Sequence, residues 1–303
     1  MIVWSKKFPR WKYPLGYLRL SDAKQRFRDR ATPAWKLSGF PFVKRMPGYS
    51  EQLAALKDKY AGQPVFVIGN GPSLKQTDVS RLKDQLTIGV NGIYKSFDDW
   101  GFHTDFLLFE DVEQTEKHGP LIPKIKGPTK IAALHNAHGI PRPWKDDLLF
   151  MNARLGDERY WNDIGIQFSE DFGEIVYLGS SIIYIALQLA FYLGCNPVYL
   201  VGVDFDYGQL GRDQQPGKVE VTEENLTTIQ AIHHRPDYHG LGDYIGVPNF
   251  ELQQKAYTIA KSRFEHHGRK IYNATHGGQL GVFDRIDFDS IFDDPRLLKA
   301  VSS

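Results

Sequence analysis

Cysteine is all but missing: a lone Cys195 in 303 residues excludes an intramolecular disulfide framework and a cysteine-cluster zinc site, and suits a reducing compartment. A long hydrophobic run is missing too. The longest, Ile182 to Leu193, is interrupted by Gln188 and falls short of the roughly 20 residues that cross a bilayer, so it reads as a buried helix. Lys6, Lys7, Arg10 and Lys12 break the amino-terminal stretch before a signal-peptide core can form, which makes the cytoplasm the expected location. Net charge is only +1, and 42% hydrophobic residues mark a folded chain rather than a disordered one. Internal repeats, low-complexity segments and nucleic-acid-binding modules are absent, so no nucleic-acid partner is expected.

The small net charge hides an asymmetry, since residues 1–50 hold 12 Lys and Arg against 2 Asp and Glu. That stretch also carries Trp4, Trp11 and Trp35, the mixture expected of an arm that meets an anionic surface such as phospholipid head groups or a phosphorylated glycolipid. A strap packed on the acidic body of its own or a neighbouring subunit explains it equally well. The organisation expected is a basic aromatic arm over 1–60, a nucleotide-binding α/β domain over 61–292 and a tail over 293–303.

From residue 64, short apolar β-branched runs alternate with helical patterns, the signature of βα units and a mostly parallel sheet. Strands are predicted at Val65–Ile68, Leu86–Val90, Asp105–Phe109, Lys130–Leu134, Leu148–Met151, Pro197–Val203 and Arg269–Tyr272. Helices are predicted from Ile182, opened by Gly179-Ser180-Ser181 and closed by Gly194, and over Phe250–His267. Residues 205–248 show little periodicity and read as a long lid loop.

Ligands of open parallel sheets bind beyond the carboxyl ends of the strands. Asn70, Ser73, Asn91, Glu110, Asp111, Asn136, Ser180, Asp204 and Asn273 all follow a predicted strand, and together they point to a binding cleft. The turn Gly69-Asn70-Gly71-Pro72-Ser73 is the sharpest element: small residues admit a ligand to the backbone, and a helix start would offer free N–H groups to phosphate. It is neither GxGxxG nor GxxxxGK[ST], so dehydrogenase and P-loop readings lose their support. Asp204-Phe205-Asp206 resembles the Asp-x-Asp pair with which many nucleotide-sugar transferases hold a divalent cation. His233, His234 and His239 make the one His-dense loop, able to supply a general base toward a hydroxyl.

The stretches VFVIGNGPSLKQTDVSRL, IGVNGIY, GSSIIYIALQLAFYLGCNPVYLVGVDFDY and HHGRKIYNATHGGQLGVFDRIDFDSIF resemble a bacterial family once known only as a domain of unknown function and now named after an archaeal-type 6-hydroxymethyl-dihydropterin diphosphokinase. The GNGPSL turn and the strand end before Asp204 are also similar to bacterial CMP-sialic acid sialyltransferases. The resemblance covers residues from about 60 to 292 and implies a modified Rossmann-like (GT-A-type) fold with helices on both faces of the sheet.

Carried over residue by residue, the sialyltransferase resemblance implies that Asn70, Gly71, Ser73, Asn91, Ser180, Ser181 and Asp204 hold the nucleotide. It makes His233 the base that deprotonates the acceptor, with His239 as second candidate, and sets Tyr207 on the leaving phosphate, one residue later than in that family because Asp206 intervenes. This reading expects an inverting glycosyltransferase with a CMP-activated acidic sugar as donor, a glycan or glycolipid acceptor, no required cofactor, and peripheral contact with the inner membrane. The diphosphokinase resemblance implies ATP, with Mg²⁺ held by Asp204, Asp206 and Glu110 or Asp111. A nucleotide-binding relative without catalysis is the third reading.

Overall fold

Val65–Ile68 is apolar at all four positions because strand β1 is buried on both faces: Val65 and Val67 join one hydrophobic cluster, Phe66 and Ile68 the other. In β2 (Thr87–Val90) Ile88 and Val90 join the first cluster, and the full alternation runs through β3 (Phe106–Phe109), β4 (Thr129–Ala133), β5 (Leu148–Met151) and β8 (Val198–Val201). Two short strands, β6 (Ala153–Arg154) and β7 (Val176–Tyr177), pair with each other apart from the main sheet. With β11 (Ile271–Asn273) and β12 (Asp284–Arg285) the main sheet has eight strands in the order β12-β11-β8-β1-β2-β3-β4-β5, every pair parallel. The computed structural model describes residues 49–141, 144, 146–154, 166–208, 210, 217–294 and 297. The tryptophans of the basic arm lie outside the described residues.

Within the segment expected to be an arm, helix α1 (Tyr49–Ala54) brings Leu53, and the turn after it Leu56, into the main core. At the other end, Leu297 of the predicted tail is buried in the second cluster. Two short helices, α2 (Phe97–Trp100) and α3 (Val112–His118), follow β2 and β3. Helix α4 (Ile182–Tyr192), buried from Ile183 to Tyr192, covers the first face of the sheet with α6 (Phe250–His266). Ser181 caps α4, its Oγ accepting from Ile183 N at 3.2 Å. The second face is covered mainly by 3₁₀ turns carrying Leu74, Leu82, Ile93, Ile122 and Ile291.

The described residues of 205–248 are more ordered than a loop. They contain β9 (Gly217–Glu220) and β10 (Tyr244–Val247), paired antiparallel, with α5 (Leu226–Ala231) between them. Leu210, Val221, Ile229, Ile245 and Val247 form a small core of their own. This lid is fastened to the body by charge: Lys117 pairs with Asp243, Lys218 with Glu113 and Arg235 with Asp99. His234 adds a neutral tie, donating its backbone N–H to the Asn70 carbonyl at 3.0 Å and placing ring Nε2 2.8 Å from Ser96 Oγ.

The order in which strands are added reverses between β1 and β8, because β2 to β5 extend to one side of β1 and β8, β11 and β12 to the other, all of them parallel. There Gly69 N donates to Val201 O at 2.8 Å and Gly71 N to Gly202 O at 2.9 Å. A Cβ on Gly69 would collide with the Gly202 carbonyl oxygen, a backbone atom with nowhere to swing, whereas one on Gly246 meets nothing within 4 Å. Urea denaturation should therefore show Gly69→Ala destabilised by about 1–3 kcal/mol, with Gly246→Ala within about 0.5 kcal/mol of the parent.

Candidate active site

The crevice between β1 and β8 opens into a cavity of about 380 Å³, roofed by the lid. Its floor is made by the strand ends, Gly69–Gly71, Asn91, Glu110, Asp111 and Gly202–Tyr207; the start of α4 supplies Ser180 and Ser181, and the lid supplies His233, Tyr238, His239 and Tyr244–Val247. Of the nine polar residues expected at strand ends, Asn70, Asn91, Glu110, Asp111, Ser180 and Asp204 line it. Asn136 and Asn273 stand behind it. Asn136 Nδ2 donates to the Glu110 carbonyl, and Asn273 Nδ2 to the Leu280 carbonyl at 2.9 Å.

Ser73 is also behind the wall. It is buried, its backbone N and Oγ donate to the two oxygens of Asp204 at 3.3 and 2.7 Å, and it is not among the cavity-lining residues. The expected helix start after Pro72 is a five-residue 3₁₀ turn, so the small residues of this segment admit another part of the chain: a Cβ on Gly71 would overlap the Asp204 carboxylate. Burial pushes the Asp204 carboxyl up, and the hydrogen bonds from Ser73 oppose that rise.

Backbone strain gathers at the same place. Asn91, Ser180 and Phe205 have φ of 48°, 57° and 54°, the left-handed region that non-glycine residues seldom occupy, and all three line the cavity. Ser180 is held by Asn249 N, which donates to its Oγ at 3.0 Å, and Ser181 Oγ accepts from Tyr257 OH at 2.9 Å. Asn70 is oriented by Nδ2 donating to Val90 O at 3.0 Å. Its Oδ1 and that of Asn91 are buried without a partner. Acceptors left so are satisfied by the donors of a ligand or by water.

The two candidate bases share one surface of the lid. His233 stacks on Tyr238 with ring centroids 4.2 Å apart, and His239 meets both edge-on at 5.0 Å. Burial pushes His233 down to about 4 and His239 down to about 3, so both rings are neutral at pH 7. His233 Nδ1 lies 3.1 Å from the Ile229 carbonyl, which can only accept; the single ring proton therefore sits on Nδ1, leaving Nε2 as a basic lone pair. Burial, with the Asp111 charge behind it, pushes Tyr207 up to about 12, which keeps its phenol a proton donor.

Four carboxylates, Glu110, Asp111, Asp204 and Asp206, line the cavity, while no Lys or Arg does among the described residues. Asp206 is partly engaged, accepting from Gly208 N at 2.7 Å and from Gln279 Nε2 at 3.0 Å. Asp111 caps α3 by accepting from Gln114 N at 2.8 Å, and burial pushes it up to about 6. Among the described residues no group of three or more His, Cys, Asp or Glu is arranged to hold a metal ion. The carboxylates therefore do not fit a metal held by protein ligands alone; Mg²⁺ bound to a nucleotide needs only one or two of them.

Gln114 and Tyr257, absent from the sequence reading, also line the cavity. A signal for Gln114 existed in its spacing, since a residue three past the Asp111 cap falls on the first turn of the helix that opens at the strand end.

An all-parallel doubly wound sheet whose lidded cavity sits at the topological switch point defines a Rossmann-like α/β protein with the cavity where such folds bind their ligands. Residues 42–209 match the family described as 6-hydroxymethylpterin diphosphokinase MptE-like, and the chain belongs to that family. A solved structure, the MAf glycosyltransferase from Magnetospirillum magneticum AMB-1, is similar at 14% identity and a TM-score of 0.44, over 84% of this chain and 42% of that one. This chain thus spans less than half of that protein's length. No curated protein matches it.

The neutral histidines make stability pH-dependent. His118, pushed down to about 4 by burial, joins His233 and His239 in holding a folded value below the unfolded one of about 6.5, so protons favour the unfolded chain as pH falls from there toward 4. His234, also lowered by burial, adds to them, while Asp111, raised to about 6, and Asp204, raised by burial, work in the opposite sense, two carboxyls against four histidines. The melting temperature should drop between pH 7.5 and 5, and His239→Gln should flatten the drop; a profile that rises toward pH 5 would contradict these assignments.

Proposed function

We propose that this chain is an inverting glycosyltransferase that moves an acidic sugar from CMP to a hydroxyl of a glycan or glycolipid acceptor. The observation that carries this reading is His233, a neutral imidazole at the cavity whose proton is fixed on Nδ1 by the Ile229 carbonyl. As the acceptor oxygen forms its bond to the anomeric carbon, its proton passes to His233 Nε2. The carbon–oxygen bond to phosphate breaks on the opposite face, and its electron pair leaves with CMP. The Tyr207 phenol donates to the leaving phosphate, and Asn70 and Asn91 offer their unpartnered oxygens to ribose hydroxyls. An acceptor carried at an anionic membrane surface suits the basic residues 1–50.

One observation favours a second reading. Four carboxylates and no cation among the described lining residues suit a nucleotide that brings its own Mg²⁺, and the family's name is that of a diphosphokinase. In that case the acceptor hydroxyl attacks the β-phosphorus of ATP, AMP leaves, and His233 takes the same proton.

A thermal-shift series with CMP and ATP, each in Mg²⁺ and in EDTA, separates the two. A ligand at 100 times its Kd adds about 2.7 kcal/mol of stability. Stabilisation by CMP that survives EDTA is expected; stabilisation by ATP alone, and only with Mg²⁺, would replace the first reading by the second. His233→Gln should keep the CMP shift and lose about 10²–10⁴-fold in turnover. With His233 near 4 in the free protein, kcat/KM should fall on the acid side with a midpoint near that value rather than near 6.5.

A further inference from the structure

Eight buried side-chain polar atoms lack a partner among the described residues, and four of them, on Asn70, Asn91, Gln114 and His239, belong to residues that line the cavity. Gln114 and His239 differ from the two asparagines in being more than nine-tenths buried, at 6% and 4% exposure. They come from opposite sides, Gln114 from α3 of the body and His239 from the lid, and each leaves a polar atom unsatisfied, Oε1 and Nδ1. A buried polar atom costs free energy unless something meets it, and both residues line the cavity. The unpartnered atom of Gln114 is an oxygen, which a phosphate or carboxylate oxygen cannot satisfy. What an amide oxygen matches is an N–H donor, and an amide edge pairs with an amino group next to a ring nitrogen.

We propose that Gln114, with His239 across from it, is the part of the cavity that recognises the ring of the nucleotide, and that it selects a ring bearing an exocyclic amino group, which Gln114 Oε1 accepts. The inference rests on the cavity being a nucleotide site, and cytosine and adenine both present the required edge. With the amide turned as it is here, uracil and hypoxanthine would set a carbonyl oxygen against the Gln114 oxygen, acceptor to acceptor.

Equilibrium titration of the full chain with CMP, UMP, AMP and IMP in Mg²⁺ tests this. The amino-bearing member of at least one pair should bind about tenfold or more tightly than its oxo counterpart, the step that 1.4 kcal/mol produces. Preference within the CMP and UMP pair assigns a cytosine donor; preference within AMP and IMP assigns adenine. Gln114→Met keeps the length of the side chain, replaces an unpartnered buried oxygen, and should melt no lower than the parent without ligand while the amino preference shrinks to about threefold or less. Equal binding within both pairs, a preference for the oxo nucleotides, or an amino preference that survives in Gln114→Met would each overturn the assignment while leaving the nucleotide reading in place. Failure of all four nucleotides to bind would overturn both.

Discussion

The contact on which the cavity depends is the one between Ser73 and Asp204, two residues 131 positions apart that bring the ends of β1 and β8 together. A carboxylate pushed up by burial is stabilised by exactly the donors a serine can offer from its backbone and side chain at once, and here both are used. With the two strand ends so joined, the Gly69–Gly71 and Gly202–Asp204 segments run side by side with no room for a Cβ at Gly69 or Gly71, and the floor of the cavity has a single arrangement. Every lining residue that follows, from Phe205 to Tyr207, inherits its position from that junction.

Charge is sorted by depth. The cations of this region, Lys117, Lys218 and Arg235, hold the lid from outside through ion pairs with Asp243, Glu113 and Asp99. Inside are carboxylates, amides and phenols, together with two imidazoles that burial keeps neutral. Partly exposed ion pairs are individually weak and weaken further with salt, so the lid is held by several small contacts, with the His234 tie to Asn70 and Ser96 the least sensitive to ionic strength. An imidazole near 4 is a feeble base on its own. An anionic donor placed beside His233 would raise it toward neutrality, so proton acceptance would become effective only with substrate in place.

The parallel sheet was readable because strands buried on both faces are written as unbroken apolar runs, and Val65–Ile68 and Leu148–Met151 fall where the sequence predicts them. The buried helix at Ile182 was readable from its Ser181 cap and from spacing. The lid was not, because β9 (Gly-Lys-Val-Glu) is almost wholly exposed and β10 alternates over only four residues, too short a pattern to stand out from a loop. Six of the nine polar residues expected at strand ends line the cavity, since topology sends strand ends there. Ser73 was misplaced because a small residue in a tight turn reads the same whether a ligand or another strand approaches it. Gln114 could be placed near the strand end by its spacing from Asp111, but the burial of its amide oxygen without a partner is displayed only by the folded chain.

Joining β1 to β8 also sets an order of events during synthesis. Strands β2 to β5 leave the ribosome directly after β1 and can pair outward from it one after another, whereas the other edge of β1 must wait for Val198–Val201. Until then β1 exposes an unpaired apolar edge and Asp204 does not yet exist to meet Ser73. Contacts of such sequence separation are slow to close and leave strand edges open to misassociation. Half of the sheet is thus closed by strands that follow one another in sequence, while the cavity depends on a contact that only the later part of the chain supplies.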